Sequence, residues 1–97
     1  MERAKGDWKI DEKTATKGKA LGLELLYSIR ETVPSGLQNE ALAAAVAFLL
    51  GRHYVSIYEL GGTEEADGWL SAVLGKAQEI ASKERGPRIA FNFVRRD

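Results

Sequence analysis

Cysteine is absent from this chain of 97 residues, and histidine occurs only once, as His53. Without cysteine the chain has no disulfide bonds, no thiol nucleophile and no cysteine-ligated zinc or iron–sulfur site. A lone histidine forms no pair of imidazoles at metal-ligand spacing. We therefore expect no metal site and no cofactor.

An excess of charge of one sign is also lacking, because 14 basic residues balance 14 acidic ones. The sequence pI is about 6.6, whereas a strongly basic nucleic-acid binder has a pI above about 9. The charges are unevenly placed. Residues 1–30 carry seven Lys or Arg against five acids, residues 31–66 one against five, and residues 67–97 six against four. Nucleic acid is thus disfavoured as a partner, although both ends are mildly basic.

No apolar run in the sequence approaches the roughly 20 residues that cross a bilayer. The N-terminal segment also lacks the apolar stretch of a secretory signal. These absences predict a cytoplasmic protein that does not contact a membrane. The length predicts a single domain over residues 1–97, with residues 1–7 flexible.

The chain does contain one uninterrupted apolar run of ten residues, Ala41–Leu50. A helix that is apolar on all sides must be covered on nearly every side. Leu37, Ala41, Ala44 and Phe48 form one apolar line along such a helix. We expect this segment to be the buried centre of the domain, and any oligomer would bury it further.

Two further helices are predicted on either side of the apolar segment. The first covers residues 13–32 and is amphipathic, with an apolar face that contains Leu26, Ile29 and Val33. Its N-cap is Asp11, Thr14 or Thr16, and Pro34 is at its end. Ser35 and Gln38 form a capping-box pattern that opens the central helix. The third helix begins at Thr63 and ends before Pro87.

Three segments have strand-like patterns, namely residues 53–59, 88–94 and 8–10. The segment 53–59 is rich in β-branched and aromatic residues and lies between Gly51 and the Gly61-Gly62 pair. The predicted fold is therefore α+β, with three helices around an apolar central helix and a small two- or three-stranded sheet. The alternative is an all-α three-helix bundle, in which residues 36–60 form one helix and the C-terminal tail is extended.

The polar residues of the sequence do not form a catalytic motif. A histidine near carboxylates can act as a general base, but His53 has no nucleophile motif nearby. Glu64, Glu65 and Asp67 lie where a helix N-terminus favours negative charge, which accounts for them without a metal. We expect a protein that is not an enzyme.

A surplus of apolar surface in so short a chain predicts a homodimer that works as an interaction or assembly protein, with a further protein partner possible. The expected contact residues are aromatic and aliphatic side chains near the two ends of the chain: Trp8, Ile89, Phe91 and Phe93. The alternative is an accessory nucleic-acid binder that uses basic residues of the terminal segments: Lys9, Lys13, Lys17, Arg88, Arg95 and Arg96.

Overall fold

A computed structural model describes residues 3–85, which form two α-helices joined by a short 3₁₀ turn. Helix α1 covers Glu12–Thr32, the 3₁₀ turn covers Ser35–Leu37, and helix α2 covers Gln38–Arg85. No strand occurs within residues 3–85. The predicted α+β class is therefore wrong for this part of the chain, which is all-α. Residues 8–10 are not a strand, and the predicted strand 88–94 lies outside the described residues.

Helix α1 forms where its amphipathic pattern predicts it. Asp11 is the N-cap, and its carboxylate accepts a 2.7 Å hydrogen bond from the Thr14 N–H. At the other end the Val33 N–H still bonds to the Ile29 carbonyl, and Pro34 follows. The α1 side chain that is buried is Ile29, a member of the predicted apolar face.

The junction between the helices departs from the predicted capping box. The Gln38 side-chain amide donates to the Val33 carbonyl at 3.0 Å, so it fastens the start of α2 to the end of α1. Pro34 precedes the 3₁₀ turn, and no side-chain cap bond forms there.

Residues 53–59 are helical, which contradicts the predicted strand and agrees with the alternative of one helix through residue 60. A formed helix adds each further residue at little cost, whereas an isolated strand has no neighbour to pair with. The side chain of Ile57 is buried on the inner face of this helix. Tertiary packing therefore overrides the local β preference of these residues.

Helix α2 bends sharply at Gly62, where φ is 83° and ψ is −174°. The bend separates a first arm, residues 38–61, from a second arm, residues 63–85, which begins where the third helix was predicted. The rings of His53 and Trp69 lie 5.0 Å apart. In a straight helix the same residues would be about 24 Å apart, so the two arms fold back towards each other.

The core of the described part is small. Ile29, Ile57 and Ala66 are its buried apolar residues. None of the residues from Ala41 to Leu50 is buried. The expectation that this apolar run is the centre of the domain is therefore wrong for the single chain.

Candidate interaction surface

A row of apolar residues runs along the outer face of the first arm. The row follows spacings of four and three residues, which is the heptad spacing of a coiled-coil seam. Each member is exposed except Ala41, which is half-buried. We call this row the exposed seam, and its members are Leu37, Ala41, Ala44, Phe48, Gly51, Val55 and Tyr58.

The exposed seam contains large side chains that a single soluble chain would be expected to cover. Phe48 is 67% exposed, Leu37 57% and Tyr58 51%. No charged residue interrupts the row. Charged Glu40, Arg52 and Glu59 lie beside it instead. Between Ala41 and Leu50 the residues on either side of the row are apolar as well, and a contiguous exposed apolar surface marks a site of interaction with a protein or a membrane.

The opposite face of the first arm packs against the second arm. Ile57 is nine residues beyond Phe48, which places it half a turn away on the helix. Tyr54 donates a hydrogen bond from its hydroxyl to the Asp67 carboxylate, and His53 contacts Trp69. The hydrogen bond to Asp67 raises the pKa of the Tyr54 hydroxyl above its usual value. Residues 3–85 thus use this inner face for their own packing and leave the seam uncovered.

The N-terminal segment, residues 3–8, is held against the second arm by Glu65, and we call this contact the latch. The Arg3 guanidinium makes two hydrogen bonds to the Glu65 carboxylate, at 2.7 and 2.8 Å. The Gly6 N–H donates to the same carboxylate. The Trp8 indole N–H donates to the Glu65 carbonyl at 3.1 Å. Arg3 and Gly6, which lie in the segment predicted to be flexible, thus donate hydrogen bonds to this carboxylate.

The latch gives Glu65 an unusually acidic carboxyl group. Its side chain is only 15% exposed. The hydrogen bonds from Arg3, and then that from the Gly6 N–H, lower the Glu65 pKa to about 2. Arg3 also lies over the Trp8 ring at 3.8 Å, a cation–π contact. These groups satisfy one another's charge and hydrogen-bonding capacity, as is typical of a contact that stabilises the fold.

Two glycines allow the latch to come close to the second arm. A Cβ atom added at Gly68 would collide with the Gly6 carbonyl, and one added at Gly6 would lie 2.9 Å from the Glu64 carbonyl. Gly6 also has a φ of 80°, in the left-handed region that favours glycine. The sequence pattern alone did not identify these glycines, because the contact joins segments about 60 residues apart in the chain.

The predicted contact and nucleic-acid residues are placed as follows. Trp8 is half-buried and engaged in the latch, while Ile89, Phe91 and Phe93 lie outside the described residues. Lys9, Lys13 and Lys17 are exposed near the start of α1. Arg88, Arg95 and Arg96 also lie outside the described residues. The nucleic-acid alternative therefore stays a prediction.

Groups that could carry chemistry are scattered over the surface of the described part. Within residues 3–85 no three His, Asp or Glu side chains come together as a metal site. His53 is exposed, with its ring against Trp69. Glu64 is exposed as well, while Glu65 and Asp67 are committed to Arg3 and Tyr54.

By length and composition alone, the helical stretch Ser35–Arg85 could cross a membrane. The ten-residue apolar run Ala41–Leu50 is too short to predict such a span by itself. Core helices of soluble proteins share this length and composition but are mostly buried, whereas only 6% of the most apolar 18-residue window of this stretch is buried. The bend at Gly62 interrupts the stretch, and so do Arg52 and His53. The uncharged part, Ala41–Gly51, is about 16 Å long against the roughly 30 Å of a hydrocarbon core.

Comparison with known proteins adds no relative to this description: no family model, no curated protein and no solved structure matches the chain.

Proposed function

We propose that this protein is a small, non-enzymatic interaction module that works as a homo-oligomer. The observation that carries the proposal is the exposed seam, a heptad row of apolar residues on a helix whose other face is already packed. An exposed apolar row of this kind marks a surface for a partner.

A second copy of the chain is the partner that the composition of the first arm favours over a lipid bilayer. The uncharged part of the arm is about half the length that a bilayer requires. The chain has no net charge, so it lacks the electrostatic attraction that assists binding to anionic membranes. Oligomers with closed symmetry are the commonest way in which a soluble chain covers such a face.

The amount of surface is adequate for a dimer. The exposed fractions of the four large seam residues, Leu37, Phe48, Val55 and Tyr58, correspond to roughly 500 Å² of accessible surface. The flanking side chains of Glu40, Ala47 and Arg52 are exposed too, and with them the area approaches the roughly 800 Å² per partner of a standard interface.

The proposal predicts that Phe48→Glu weakens self-association about a hundredfold, because a charge would be buried at the centre of the interface. Phe48 is largely exposed in the single chain, so the variant should keep its helical circular-dichroism spectrum. The measurement is absolute mass by light scattering on a sizing column, at low and high salt. The wild type should have at least twice the 10.7 kDa chain mass, and the variant the mass of one chain.

Leu60→Glu is the matched control, since Leu60 is 91% exposed on the same arm but lies off the seam. It should retain the wild-type mass. A wild-type mass of one chain would refute the proposal. Flotation of the wild type with neutral phosphatidylcholine vesicles, without self-association, would refute it in favour of a membrane partner.

A further inference from the structure

We infer that two copies of the chain pair antiparallel through their exposed seams, with Phe48 of each copy packed over Gly51 of the other. The inference rests on the proposed function and adds the direction and register of the contact. It follows from the order of large and small residues along the seam, together with the exposure of that face.

Large and small residues divide the central part of the seam equally. Phe48, Val55 and Tyr58 are large, whereas Ala41, Ala44 and Gly51 are small. A well-packed interface keeps the summed volume of each layer nearly constant, as protein interiors do. The correct pairing should therefore place a large residue against a small one in each layer.

Parallel, in-register pairing fails this condition, because each residue then meets its own copy. Phe48 would face Phe48, and one helical turn further Gly51 would face Gly51. The first layer would be overfilled and the second would leave a void, and both defects cost stability.

One antiparallel register meets the condition in every layer. It places Phe48 opposite Gly51, Val55 opposite Ala44 and Tyr58 opposite Ala41, and the two-fold axis repeats each pair. The neighbouring antiparallel register, shifted by one heptad, sets Ala41 against Gly51 and Val55 against Leu37. That register combines two small residues in one layer and two large residues in another.

The ends of the arm are compatible with the same register. Leu37 of one copy comes opposite the bend at Gly62 of the other, where an added Cβ atom would have nothing within 4 Å. At Gly51 an added Cβ would likewise meet nothing within 4 Å. Glycine at this exposed helical position makes no close contact within residues 3–85, and helix propensity alone would favour alanine. In the inferred register this open space receives Phe48 of the second copy.

The absence of cysteine makes the register directly testable by crosslinking, because each introduced thiol is the only one in its chain. We would prepare Ala44→Cys with an affinity tag that alters its gel mobility, and Val55→Cys without the tag. The two variants would be treated with a bismaleimide crosslinker, separately and as a mixture. In the inferred register the Ala44 residues of the two copies are about 16 Å apart along the helix axis. Ala44 of one copy instead lies directly opposite Val55 of the other. The linker is chosen to be shorter than that offset.

The expected result is a crosslinked heterodimer in the mixture, with at least tenfold less crosslinking of either variant alone. Ala44 and Val55 are both exposed in the single chain, so each variant should remain folded. Crosslinking of each variant to itself, as parallel in-register pairing requires, would overturn the antiparallel pairing. A dimer mass without heterodimer crosslinking would overturn the register, and in both cases self-association would stand. A monomer mass for the wild type would instead overturn the proposed function and this inference together.

Gly51→Leu gives a second, independent measurement. Leucine at position 51 would occupy the space that the inferred register assigns to Phe48 of the other copy. We expect the dimer dissociation constant to rise about a hundredfold, with the helical spectrum of the chain retained. Gly75→Leu, on an exposed part of the second arm with no atom near an added Cβ, is the control and should leave the constant unchanged. An unchanged constant for Gly51→Leu would overturn the inference.

Discussion

Glu65 shows how a single residue can hold together parts of the chain that are far apart in sequence. Its carboxylate accepts hydrogen bonds from the Arg3 guanidinium and the Gly6 N–H, and its backbone carbonyl accepts one from the Trp8 indole N–H. The acids around the start of the second arm were predicted to interact with the helix dipole. That interpretation gives no reason to distinguish Glu65 from Glu64, because Arg3, the partner that binds Glu65, is 62 residues away in the sequence.

The low pKa of Glu65 predicts a loss of stability in acid. The pKa is about 2 in the folded chain and about 4.5 for a free carboxyl, so the unfolded state takes up the proton first. The stabilisation by the latch is complete above about pH 4.5 and declines as the pH falls from 4.5 towards 2. Glu65→Gln should lower the melting temperature at pH 7 and reduce the difference between pH 7 and pH 3, measured by circular dichroism.

Glu64→Gln is the control for this measurement, since the exposed Glu64 side chain makes no hydrogen bond or ion pair within residues 3–85. It should reproduce the wild-type dependence on pH. Asp11 and Glu79 also have lowered pKa values, so Glu65→Gln should remove only part of the acid sensitivity. Equal pH dependence of the two glutamine variants would contradict the role given to the latch.

At the scale of elements, helix α1 and its Asp11 cap could be predicted because their signals are local. The amphipathic period and a capping side chain act within a few residues. Residues 53–59 could not be assigned in this way, because their β-branched and aromatic side chains suit both a strand and a helix face. Predicting a strand there also ended the apolar line at Phe48. The seam becomes visible only when the helix continues through Val55 and Tyr58.

The glycine pair was predicted to separate a strand from the third helix; the element before it is a helix instead, and Gly62 is the residue that adopts the bent conformation. Its φ of 83° with ψ of −174° belongs to a region that is almost restricted to glycine, at a cost of about 1–3 kcal/mol for other residues. Gly62→Ala should therefore lower the free energy of unfolding by about that amount. The measurement is urea unfolding at constant protein concentration.

Gly75→Ala is the matched substitution for Gly62→Ala. Gly75 is helical and exposed, and an added Cβ would meet nothing within 4 Å, so alanine there should raise the free energy of unfolding by up to about 1 kcal/mol. The two alanine variants are thus expected to change stability in opposite directions. A stabilising Gly62→Ala would mean that the bend is not required by the folded chain.

At the scale of the whole molecule, residues 3–85 combine a small core with a large apolar exterior. Three apolar residues of the described part are buried, while α1 exposes Leu21, Leu23 and Tyr27 in addition to the seam on α2. Small domains are marginally stable because they bury a small share of their surface. The surplus of apolar surface was predictable from composition, but its location was not, because that depends on which faces the bend brings together.

If the seam is covered by a second copy, the stability of the molecule must depend on its concentration. Association stabilises the folded state by mass action, and for a dimer of this size a tenfold increase in concentration should raise the melting temperature by about 3–5 °C. Phe48→Glu should melt lower and at a temperature independent of concentration. Leu60→Glu should follow the wild type. The measurement is circular dichroism from about 2 to 200 µM protein, and a wild-type melting temperature that stays constant over this range would show that the single chain folds without its seam covered.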